Sequence, residues 1–99
     1  MELFLAGNAQ LLTIHITGDV VGETCEALRE TVDSVKDRTP ELVLDFSNVR
    51  KVDAEGVGLL LSLHFDALAA GVQLSVRNPS AEVMETFKES NLDTILGIT

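Results

Sequence analysis

The sequence predicts one α/β domain, with a mixed β-sheet of four to five strands packed by three to four α-helices. Three observations predict it. From residue 23 onward, stretches at helical spacing alternate with short apolar runs. That is the pattern of parallel strands joined by helical crossovers. Ahead of them, two strand-like runs are separated only by a Gly7-Asn8 turn, which suits an antiparallel hairpin. Finally, 99 residues, 45% of them apolar, suit a single domain over residues 1–99 with a real core.

The elements follow in order. Glu2 to Ala6 is a short apolar strand. Gln10 to Thr17 alternates, with Leu12, Ile14 and Ile16 on one face and Leu11, Thr13, His15 and Thr17 on the other. A period of two in β-branched residues marks a strand. Gly18-Asp19 ends it. A helix runs from about Glu23 to Asp37, with Cys25, Leu28, Val32 and Val35 on its inner stripe, and Thr39-Pro40 ends it. Glu41 to Phe46 is nearly all apolar, as in a strand covered on both faces.

A second helix runs from about Ala54 to Ala70. Val57, Leu60, Leu61, His64, Phe65 and Leu68 form its stripe, and Leu59 and Leu63 widen it. Leu59 and Leu63 either touch the neighbouring helix or form an exposed apolar patch suited to docking. Gly71 is the C-terminal stop. Val72 to Arg77 is another strand. Asn78-Pro79-Ser80 opens a third helix to about Ser90, with Val83, Met84 and Phe87 inward. Asn91 to Thr99 is an apolar tail, a strand or a helical turn. With three main helices, one face of the sheet is less fully covered.

Charge narrows the function. Sixteen Asp and Glu against seven Lys and Arg give a net charge of −9. Such a surface repels phosphate backbones and anionic lipid. The expectation is therefore a protein partner and no nucleic acid. The first residues carry no basic segment before their apolar run, so they do not read as a signal peptide. The longest strongly apolar segment, Val57 to Leu63, is far short of the ~20 residues that cross a bilayer. Cys25 is the only cysteine. It fits a reducing compartment and reads as a small core residue. These features together point to the cytoplasm.

Nothing in the chain has the pattern of an active site. His15 and His64 lack a partner at metal-ligand spacing, so neither metal nor cofactor is expected. Ser47, Ser62 and Ser80 stand in no nucleophile motif. Gly56-Val57-Gly58 is followed by no P-loop lysine.

The stretch from Leu44 to Leu61 carries the most information. Asp53 stands where a helix N-cap belongs, and Glu55 adds negative charge near the positive end of the dipole. Gly56 and Gly58 lie inside the first turns, where each costs about 1 kcal/mol relative to alanine. Something must approach that end of the helix closely, either the chain's own strands or a partner.

The ordered set Asp45-x-Ser47-x-Val49-x-x-Val52-Asp53-x-x-Gly56-x-Gly58-Leu59-Leu60-Leu61, then Ala69-x-Gly71-x-x-Leu74-x-Val76-x-Asn78-Pro79-Ser80, resembles the STAS domain. That is the fold of sulfate-transporter and anti-sigma-factor-antagonist domains. The resemblance extends from Gly18, Thr24 and Leu28 to Asn91 through Leu96, essentially the whole chain. It implies a small sheet packed by helices and a role as an interaction module. In the antagonists, an ATP-using anti-sigma kinase phosphorylates a Ser or Thr directly after the Asp at the helix start, and the added charge ends binding.

Here Ala54 holds that position, and the phospho-acceptor is lost. Val21 stands where antagonists often carry an acid, and the C-terminal helix common in the family is short or missing. The resemblance thus implies a regulator of partner-switching signalling that docks a kinase-like protein through Asp19, Val21, Glu23, Asp53, Ala54, Glu55, Gly56, Gly58 and Leu59. The alternative it implies is an accessory subunit of a phospholipid-transport ATPase, docked on a transporter subunit. Asp19, Glu23, Asp53 and Glu55 would form an acidic rim facing a basic partner.

Overall fold

The computed structural model describes residues 1–98. Its sheet has four strands in the order β1 (Glu2–Gly7), β2 (Leu11–Thr17), β3 (Glu41–Asn48) and β4 (Gln73–Arg77). β1 and β2 form the expected antiparallel hairpin, with Phe4 opposite His15. β2–β3 and β3–β4 are parallel.

The strands advance one way across the sheet. Crossovers of one hand therefore set α1 (Cys25–Val35) and α2 (Ala54–Ala69) on the same face. Arg29 of α1 ties them, donating to Ser62 Oγ at 2.8 Å and Asp66 Oδ2 at 3.4 Å in α2. α3 (Ala81–Glu89) and α4 (Leu92–Leu96) follow β4. The tail is thus a helical turn, not a fifth strand. No helix among the described residues is long and apolar enough to cross a membrane.

The core lies between the sheet and this helical layer. Ile14, Ile16, Leu42, Leu44, Phe46, Leu74 and Val76 face Leu28, Val32 and Val35 of α1, Leu60 and Leu63 of α2, and Val83 and Phe87 of α3. The Phe46 and Phe87 rings lie 5.9 Å apart, tilted, a favourable aromatic geometry. The opposite face carries Thr13, His15, Asp45 and Ser75, each half-buried, around Val43, which is buried.

Three expectations need correction. The first helix does not start at Glu23. Gly22–Thr24 is a 3₁₀ turn, and Lys36–Arg38 another. The Thr24 hydroxyl explains the first: it accepts from Val21 N–H and donates to the Asp19 carbonyl at 2.7 Å. Such local bonds compete with the helical ladder.

Second, the buried stripe of α2 is rotated from the predicted one. It is Gly56, Leu59, Leu60, Leu63 and Ala67. Phe65 and Leu68 point outward, at 57% and 59% exposure. Apolar residues occur almost all round this helix, so periodicity alone could not choose the inward face. Third, Cys25 is only half-buried at the margin of the core.

The helix stops follow their predicted chemistry. Gly71, at φ +74°, donates to the Leu68 carbonyl, and Val72 N–H reaches the Ala67 carbonyl at 2.8 Å. That closes α2 as a Schellman motif. Ser80 Oγ caps α3 by accepting from Val83 N–H at 3.1 Å.

Candidate functional site

The site is built where two turns meet at the C-terminal ends of β2 and β3. The chain leaving β2 crosses the chain leaving β3, and backbone bonds hold them. Gly18 N–H donates to the Asn48 carbonyl at 3.1 Å and Val20 N–H to Lys51 at 2.9 Å. Val20 and Val52 form a parallel bridge, both buried. This short extension of the sheet delivers Asp53 to the start of α2.

Asp53 joins the turns. Its Oδ1 accepts from Gly56 N–H at 2.9 Å, the expected N-cap bond. Its Oδ2 accepts from Gly22 N–H at 3.1 Å, across the gap. Those two donors hold the carboxyl below the usual aspartate range, and Lys51 adds a smaller pull in the same direction. Cys25, near by, is pushed up, first by burial and then by the charges of Asp53 and Glu55. Its thiol stays protonated, the opposite of an activated nucleophile.

The two glycines have different causes. A methyl group on Gly56 would lie 2.2 Å from the Val20 carbonyl oxygen and 2.8 Å from Val52 Cγ1. Gly56 is therefore glycine because the chain's own backbone crosses it. A methyl group on Gly58 would meet nothing within 4 Å. Internal packing does not account for that glycine, and its surface is open.

The remaining candidates divide by exposure. Ala54, Glu55, Glu23 and Gly58 are exposed; Asp19, Val21 and Asp53 are half-buried. Leu59 is 6% exposed and packs in the core, so the expected contact role for its side chain is corrected; Leu63 is buried likewise. Glu55 leans over Gly22, its Oε2 3.1 Å from where a Cβ would stand. Ala54 holds the first helical position of α2 and is exposed.

Three parts of this neighbourhood were not anticipated. Gly22 supplies a donor to Asp53 and the floor beneath Glu55, yet in the sequence it is an ordinary loop glycine. Arg50 lines a cleft of about 380 Å³ with Asp19, Thr17, Gly18, Ser47 and Asn48. Positive charge therefore sits beside Asp19, and the run Arg50-Lys51 is the sequence signal for it. A groove of about 340 Å³ runs from Val52, Asp53, Ala54 and Val57 to Thr86, Glu89 and Ser90 at the end of α3. Nothing in the sequence sets α3 against the start of α2. Among the described residues, no three His, Cys, Asp or Glu side chains gather as a metal site would require.

Comparison with known proteins agrees with this architecture. The family described as "Mlab, STAS domain" matches residues 4–97. Over 65 residues, 66% of the chain, the sequence is 31% identical to low affinity sulfate transporter 3 of Stylosanthes hamata. The chain spans only 10% of that transporter's length. The fold is shared end to end with the unphosphorylated anti-sigma factor antagonist SpoIIAA: TM-score 0.75, 19% identity, 99% of each chain covered. It is shared also with a sulfate transporter family protein of Wolinella succinogenes: TM-score 0.79, 17% identity, 88% of this chain and 71% of that one. At these identities the two structures speak for the fold alone. With the family match spanning nearly every residue, the chain belongs to the STAS domain family.

Proposed function

We propose that this chain is a non-enzymatic protein-docking module of the cytoplasm whose docking is not switched by phosphorylation at the start of α2. The observation that carries the proposal is Ala54. It is exposed, it follows the capping Asp53, and it has no hydroxyl. The docking face comprises Val21 and Glu23 from the first turn and Asp53, Ala54, Glu55 and Gly58 from the second, with Asp19 at the rim and Gly56 holding the turns together.

Two partner classes fit such a face. The first is a kinase-like protein of a bacterial partner-switching pathway, with this chain as an anti-sigma factor antagonist-like regulator fixed in one state. The end-to-end fold match with an antagonist supports it. The second is a transporter subunit, with this chain as an accessory STAS subunit of a phospholipid-transport ATPase. Ala54 favours the second, because permanent assembly requires no switch.

Co-purification of the tagged chain from its own cells, with identification of what is retained, tests both. A transport ATPase or permease identifies the second class, and a kinase or sigma-factor regulator the first. Release of the partner on adding ATP would overturn the proposal.

A further inference from the structure

The other end of the sheet carries an unblunted edge. β1 is an outer strand, hydrogen-bonded to β2 on one side and, among the described residues, to nothing on the other. Its sequence is Glu-Leu-Phe-Leu-Ala-Gly. Edge strands are commonly protected by lysine, proline or covering elements; β1 has no lysine and no proline. Phe4 is 67% exposed on the face away from the helices and Leu5 40% exposed on the helical face. The opposite edge differs. β4 buries Leu74 and Val76 and exposes only the polar Gln73 and Arg77.

We infer that β1 pairs antiparallel with β1 of a second copy, making one continuous eight-stranded sheet across a two-fold axis. The geometry selects the register. A two-fold axis perpendicular to the sheet keeps both helical layers on the same side, so each residue faces a residue of its own face. Centring the axis on Phe4 sets Phe4 opposite its own copy on the face away from the helices. Leu3 then stands opposite Leu5 on the helical face, and Glu2 opposite Ala6.

Leu3-Phe4-Leu5 reads the same in both directions, as an isologous pair requires. The register also handles charge. Glu2 is the only charged residue of β1, and the two copies of Glu2 fall at opposite ends of the pair, about 14 Å apart along the strands. With net charges of −9 repelling, β1 brings only one charged side chain per copy to the meeting. Paired phenylalanines and leucines, with the free backbone groups of both edges, supply the attraction.

Sedimentation equilibrium over a range of protein and salt concentrations is the first test. The expected result is a concentration-dependent dimer that tightens as salt screens the net charge. Phe4→Lys should weaken it roughly tenfold or more by setting two like charges opposite one another. The exposed site leaves the fold unaffected, which the circular dichroism melt of the variant checks. Register is read by oxidation in a Cys25→Ala background. Phe4→Cys should cross-link, since directly opposed residues have Cα atoms about 4.5–5.5 Å apart, within disulfide range. Glu2→Cys should not.

A monomer at all concentrations overturns the inference. So does a dimer indifferent to Phe4→Lys, or one that cross-links through Glu2→Cys and not Phe4→Cys. A monomeric chain that loses a co-purifying partner on Phe4→Lys would assign the edge to a strand of that partner instead. The start of α2 plays no part in any of these readouts.

Discussion

Asp53 Oδ2 accepts a hydrogen bond from the backbone N–H of Gly22, 31 residues earlier in the chain, at 3.1 Å. One carboxylate thereby caps α2 and locks a second turn against it. The face that carries Ala54 and Glu55 is tied together at its centre by this bond and exposed at its margins.

Asp53→Ala removes both acceptor oxygens. It should lower the melting temperature and loosen the Val21–Thr24 turn, seen as faster hydrogen exchange of the Gly22 and Gly56 amides. Unchanged protection at Gly22 would show that the Val20–Val52 bridge holds the turns without the carboxylate.

Acid should act through the same group and through Asp45. Burial alone would raise the Asp45 carboxyl, but bonds from Ser47 N–H, His15 Nδ1 at 2.7 Å and Asn78 Nδ2 at 3.2 Å hold it below 3.8, the free value. Asp53 is lowered likewise. A carboxyl lowered in the folded state contributes stability above its unfolded value and loses it as the pH falls through the folded one. Urea midpoints of the wild type and Asp45→Asn should therefore differ most near neutrality. The difference should shrink below pH 3.8.

The two glycines should respond in opposite directions. Gly56→Ala forces a methyl group into the Val20 carbonyl and should cost about 1–3 kcal/mol. Gly58→Ala meets open space and should stabilise by about 0.5–1 kcal/mol, the helical advantage of alanine. Equal effects in urea denaturation would contradict the packing described for the start of α2.

The inward face of α2 is tested by a similar contrast. Leu63→Ala should cost about 2–5 kcal/mol, as buried leucines do. Phe65→Gln, on the exposed side, should stay within about 0.5 kcal/mol.

Most of the fold was legible because its signals are local. The alternation of Leu12, Ile14 and Ile16, the Gly71 stop and the Ser80 cap each depend on near neighbours. What was not legible depends on distant ones. α2 is apolar almost all round, so its buried face is chosen by the sheet beneath it; Leu59 and Leu63 went inward while Phe65 and Leu68 stayed out. The site divides in the same way. Asp53 as a cap follows from position alone, whereas its second bond to Gly22 needs the crossing of two chains. Gly56 in a first turn points to a close approach, but only the fold shows that it is Val20 that approaches. In the sequence Arg50 is only one of seven Lys and Arg, and the fold sets it beside Asp19.

The central claim is that the start of α2 is a docking face independent of phosphorylation. Gly58→Arg tests it most directly, because the side chain enters open space and leaves the fold intact. Partner capture by the wild type and by Gly58→Arg should be compared with and without ATP, at low and high salt. Retention by the wild type in both ATP conditions, weakening with salt, and loss with the variant is the predicted result. Equal capture by the two chains, or release of the wild type by ATP, would contradict it.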